Sequence, residues 1–200
     1  EPLAALDLAR KLEILPYLER LRDELDIPMI YVSHAPDEVA RLADHIVVME
    51  AGRAVAHGPL AATLARVDLP LRLGEDAGVV FAATVVERDA AWHLAKVGFD
   101  GGELWVRDNG AAVGKTVRLR ILARDVSIAH SRHDDVSIIN LLPATVGAFA
   151  GEDHPALLLL QLQLGGTALL ARLTRRSAHA LALAPGCRVW VQIKAVALIG

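Results

Sequence analysis

Beyond Pro70 the chain places turn-forming Gly, Asp and Asn residues roughly every ten positions, and the intervals between them read as short strands. The intervals are Val79–Glu87, Trp92–Phe99, Leu104–Arg107, Val117–Leu122, Ala144–Phe149, Leu157–Leu164, Ala168–Leu173 and Val189–Leu198. Strands this short, with turns this frequent, close into a small barrel or sandwich. Upstream the texture differs. Asp7 can cap a helix bearing Leu8, Leu12 and Leu15, Pro16 should end it, and a second helix should run through Leu18, Leu21 and Leu25. Met29–Val32 has no polar alternation and reads as a buried, parallel-type strand, with Ser33-His34 at its C-terminal end. Pro36–Leu42 is helical, His45–Met49 turns at Ala51-Gly52 into Ala54–Ala56, and Pro59–Ala65 is a last short helix. The expected architecture is an α/β unit over residues 1–70 followed by an all-β barrel unit over 71–200, with the boundary between Val67 and Gly78.

The β unit repeats itself weakly. Ala83-Thr84-Val85 recurs as Ala144-Thr145-Val146, Gly101-Gly102 as Gly165-Gly166, and Gly114 before an alternating strand as Gly186. Two related halves, about 79–130 and 131–200, are expected. Composition narrows the partners. With 21 basic and 24 acidic residues the net charge is −3, and aromatics are 4%, which disfavours nucleic acid as a partner. No apolar run approaches the ~18–20 residues that cross a bilayer. The single cysteine, Cys187, excludes an internal disulfide and fits a reducing compartment. The eight histidines lack metal-ligand spacing, so no metal site is expected. A start at Glu1-Pro2-Leu3, without Met or a signal-peptide pattern, is expected of a piece of a longer protein.

Glu1-Pro2-Leu3-Ala4-Ala5-Leu6-Asp7, then Tyr31-Val32-Ser33-His34, then Asp37–Met49 with Gly52 and Gly58, resembles the second half of an ABC-transporter ATPase domain. The resemblance implies that Glu1 is the glutamate polarising the attacking water and that His34 is the switch histidine on the terminal phosphate. It implies also that Asp7 lies at the interface between paired ATPase domains. Taken singly these residues read more plainly: Glu1 as an exposed acid, Asp7 as a helix cap, Ser33-His34 as a structural pair. No G-x-x-x-x-G-K-[ST] occurs, and the signature loop is absent, so this α/β fragment, a partial P-loop ATPase domain, should not hydrolyse ATP alone. The resemblance implies ATP and Mg in the intact parent.

Residues 79–200 resemble the regulatory domain of the molybdate-importer ATPase subunit, an OB-like barrel of TOBE/Mop type. The resemblance rests on Val136–Val146, Leu164-Gly165-Gly166, Ala171–Thr174, Leu183–Gly186 and Val191–Val196. It implies a homodimer through this domain, membrane permease subunits as partners, and a place on the cytoplasmic face of the membrane, with molybdate or tungstate as regulatory ligand. A tetrahedral dianion needs donors from several directions, and Ser137, Asn140, Lys194 and the backbone N–H of Ala195 match the family's oxyanion-binding motif. Where the family has Arg, this chain has Ile139, and where it often has Ser, it has Ala195. Two other readings stay open: an ATPase subunit for another solute, with a barrel that only dimerises, and a stand-alone oxyanion store or sensor.

Overall fold

The structure, a computed structural model, describes residues 1–25, 27–69 and 77–199. The expected boundary at residues 70 and 71 lies outside the described residues. The first unit comprises α1 (Leu8–Glu24), α2 (Pro36–Leu42), the hairpin β1 (His45–Glu50) and β2 (Arg53–Pro59), and α3 (Leu60–Leu64). Asp7 caps α1 through its carboxylate, which accepts from Arg10 N at 2.9 Å. The hairpin turns at Ala51 and Gly52, whose φ values of 48° and 77° give the left-handed pair that a two-residue turn needs.

Two sequence expectations fail here. α1 runs unbroken through Pro16. The pyrrolidine ring sits on the exposed face, while Leu15 and Glu19 are buried on the other and hold the helix against α2. Met29–Val32 forms no strand, and Ile30 and Val32 are 93% and 61% exposed. A parallel strand takes its hydrogen bonds from neighbours on either side, and among the described strands none runs beside it.

The β unit comprises β3 (Gly78–Asp89), β4 (Leu94–Phe99), β5 (Gly102–Arg107), β6 (Thr116–Leu122), β7 (Val126–Ala129), β8 (Asn140–Gly151), β9 (Leu157–Leu164), β10 (Thr167–Thr174), α4 (Arg175–Ala180), β11 (Arg188–Ile193) and β12 (Ala197–Ile199). They make two five-stranded antiparallel sheets, ordered β12-β6-β3-β4-β5 and β7-β11-β8-β9-β10. One order is the other moved five strands along the chain, with the edge strands exchanged: β7 joins the later sheet and β12 returns to the earlier one. The predicted single strand Val189–Leu198 is therefore two. It breaks after Ile193, where Lys194 N–H turns to donate to Asp125 O at 2.9 Å. Equivalent turns also bond alike: Gly114 N donates to Val85 O and Gly186 N to Val146 O, each at 2.8 Å.

A single core fills the space between the sheets. Leu104 and Leu119 from one and Leu160, Leu162 and Val191 from the other are all at most 1% exposed. The β4–β5 and β9–β10 turns meet across it. A Cβ on Gly165 (φ +54°) would lie 2.1 Å from Asp100 O, and one on Gly101 2.7 Å from Leu164 O, so this approach admits only glycine. Trp92, read from the sequence as the start of a strand, is 76% exposed in the β3–β4 turn, and β4 begins at Leu94.

Candidate functional site

Glu1 and His34 stand 33 positions apart in sequence, and the fold joins them: Glu1 Oε1 lies 2.8 Å from His34 Nδ1. The hydrogen bond and the charge of His34 hold the Glu1 carboxyl below its ordinary range. Both side chains are substantially exposed, and with Nδ1 turned to Glu1, the ring's Nε2 is left for a further partner. Asp7 stays exposed at the α1 N-terminus, where its carboxylate caps the helix.

The loop carrying His34 is tied down by Glu38, a residue to which sequence reasoning gave no role. Glu38 is buried in α2 and accepts from Lys11 Nζ at 2.8 Å, Tyr31 OH at 3.0 Å and Ser33 Oγ at 2.6 Å. Its signal was present: an acid among Val39, Ala40 and Leu42 on a short helix must find donors. Burial pushes its carboxyl up, but the donated hydrogen bonds from Lys11, Ser33 and Tyr31 outweigh it, and the net position is lowered. Burial and then Glu38 push the Tyr31 phenol up to about 12. Two pH effects follow. The Glu38 contribution to stability is present above the ordinary carboxylate range and is lost as pH falls through its lowered position. The Tyr31 contribution is present below about 10 and is lost as pH rises from there through about 12. In Glu38→Gln the Tyr31 absorbance midpoint should drop from about 12 toward about 10. A midpoint that stays where it was would show that Glu38 does not hold the loop.

Of the residues expected to bind oxyanion, Asn140, Lys194 and Ala195 lie at one end of the later sheet, and Ser137 lies in the loop that leads into β8. Asn140 opens β8 opposite Ile193, the residue before Lys194. Asn140 is buried, and its amide clamps the edge of β5: Oδ1 accepts from Trp105 N at 2.7 Å and Nδ2 donates to Trp105 O at 2.9 Å. One amide proton remains beyond the clamp. Ser137, Lys194 and Ala195 are exposed, and so is Ile139, at 59%. A separate shallow pocket of about 360 Å³ lies on the same sheet between Thr145, Gln163, Arg188 and His130. Among the described residues, no three His, Cys, Asp or Glu side chains cluster as metal ligands, and no helix is long and apolar enough to cross a membrane.

Residues 137–200 match the TOBE domain family. All 200 residues align, at 66% identity, with the molybdenum import ATP-binding protein ModC of Thiobacillus denitrificans, covering 55% of that protein. The counterpart in Methylococcus capsulatus is 63% identical over 199 residues, with 56% covered, and one in Azotobacter vinelandii is 58% identical over 200 residues, with 55% covered. The chain spans about half the length of these relatives and is similar to their C-terminal part. Among solved structures, the cytoplasmic molybdate-binding protein ModG with molybdate bound superposes with a TM-score of 0.50 at 27% identity, covering 60% of this chain and 95% of that one.

Proposed function

We propose that this chain is the C-terminal part of the ATP-hydrolysing subunit of a molybdate importer, joining the end of an ABC ATPase domain to an oxyanion-responsive β unit. The observation that carries the reading is the Glu1–His34 contact at 2.8 Å, in a chain that aligns from end to end with importer ATP-binding proteins. In this reading Glu1 orients the attacking water, His34 touches the terminal phosphate, and Asp7 faces a second ATPase domain. ATP and Mg are gripped by residues outside these 200, which contain no phosphate loop. Mg would then neutralise phosphate charge in the complete site, while this chain supplies the water-orienting and phosphate-sensing side chains.

Residues 71–200 act as a duplicated unit, halves about 79–130 and 131–200, that pairs with its copy in a homodimer on the cytoplasmic side of the permease. Molybdate or tungstate takes its donors from Ser137, the spare amide proton of Asn140, Lys194 and the Ala195 N–H. Support comes from the TOBE match over 137–200 and the likeness to a molybdate-bound structure. Calorimetric titration of this chain tests the reading, with sulfate as the control. Molybdate should release heat and sulfate none, and Lys194→Ala should weaken binding about tenfold, the loss of one charge-assisted donor. Exposed Ile139, apolar where the family carries Arg, favours a second reading in which the unit only dimerises. No heat with either anion would establish that reading instead.

A further inference from the structure

We propose that Arg118 and Arg120 of β6 are positioning residues for His34: they hold α2 at both ends and so set where the histidine stands during ATP hydrolysis. The inference rests on the role given to His34 above. α2 has seven residues, too few to persist as an isolated helix, so its place is fixed by what grips it. Arg120 pairs with Asp37 in its first turn. Arg118 Nη1 donates to the carbonyls of Ala43, Arg41 and Ala40 at 2.7, 3.3 and 3.4 Å, and its other nitrogen pairs with Asp44. These carbonyls end the helix, where partners within the helix are lacking and partial negative charge gathers, so a forked cation fits them; Arg22 of α1 also donates to Arg41 O.

Both guanidinium groups are largely shielded, with side chains 22% and 13% exposed, and both project from the same face of one strand. That strand is a firm base, hydrogen-bonded to β3 on one side and β12 on the other. Apolar contact adds to the grip: Ala40, Leu60, Leu64, Val80 and Ile199 form one buried cluster across the two units. From α2 the constraint passes to His34 over a short span. Ser33 Oγ donates to Glu38 at 2.6 Å and accepts from Ala35 N at 3.1 Å, so the residues flanking His34 are lashed to the helix. A displacement of α2 therefore carries His34 away from Glu1.

The test uses the intact ATPase that contains this chain. Arg118→Gln and Arg120→Gln should each lower kcat about tenfold, as a small misplacement of a reacting group does, with KM for ATP within about twofold. Arg120→Asp should be as impaired, and adding Asp37→Arg should restore kcat. Arg118→Lys should recover only part, because one ammonium cannot span three carbonyls and Asp44. In this chain, the NMR ring signals of His34 should move in Arg118→Gln while those of His154 and His179 stay put. Wild-type kcat in both Gln variants, with His34→Ala inactive, would overturn the positioning role. So would a loss of activity that follows a lower Tm and is not rescued by the charge swap. Full activity in His34→Ala would instead overturn the site reading on which this one rests.

Discussion

In the intact ATPase, His34→Ala should lower kcat about a hundredfold or more and leave KM for ATP nearly unchanged. In the proposed reading the effect falls on kcat because His34 acts on charge that develops at the transferring phosphate, while the grip on the nucleotide lies elsewhere. The Glu1 contact at 2.8 Å ties the ring by Nδ1 and, in the proposed reading, leaves Nε2 for the phosphate. Glu1→Gln should cost a similar factor, and the double substitution little more, since the two groups act as a unit. Additive losses would mean that the 2.8 Å contact has no part in the reaction.

The largest effect on folding should come from Asn140→Ala, at about 2–4 kcal/mol. The amide spans from β8 to the open edge of β5 and satisfies both backbone groups of Trp105 there, as a further strand would. Truncation removes two hydrogen bonds and leaves a shielded N–H and C=O without partners. Urea unfolding of this chain should show a lower midpoint with unchanged m, and Tm should drop by roughly 5–15 °C. Ser137→Ala, on an exposed loop, should stay within about 0.5 kcal/mol of wild type and change only oxyanion affinity. Equal stability in both variants would show that the clamp is dispensable. Asn140 thus has a structural duty that a reading of donors alone assigns to the anion.

Much of the fold is legible in the amino-acid sequence. Asp7 as a cap, the Ala51-Gly52 turn and the β-unit strands other than β7, with β11 and β12 read as one, come from local chemistry, in which a carboxylate seeks free N–H groups and alternation follows the pleat. β7 escapes such a reading because four residues beside a polar loop carry too short a pattern. Glu38 is within its reach, as an acid on an apolar face.

By itself the sequence determined most of the β-unit strands and their turns, and that a helical and hairpin region precedes them, because these follow from neighbours a few residues apart. Tertiary structure alone decided which strands pair. β7 and β12 each pair in the other half's sheet, and nothing in the local pattern of four and three residues specifies that exchange. It also decided that Pro16 does not break α1, that Met29–Val32 forms no strand, that Glu1 meets His34, and that Arg118 and Arg120 reach α2 from about eighty positions away. The physical reason is common to all of these. Each depends on a hydrogen bond, ion pair or buried face supplied by a partner remote in sequence, and such a partner leaves no mark on the local pattern.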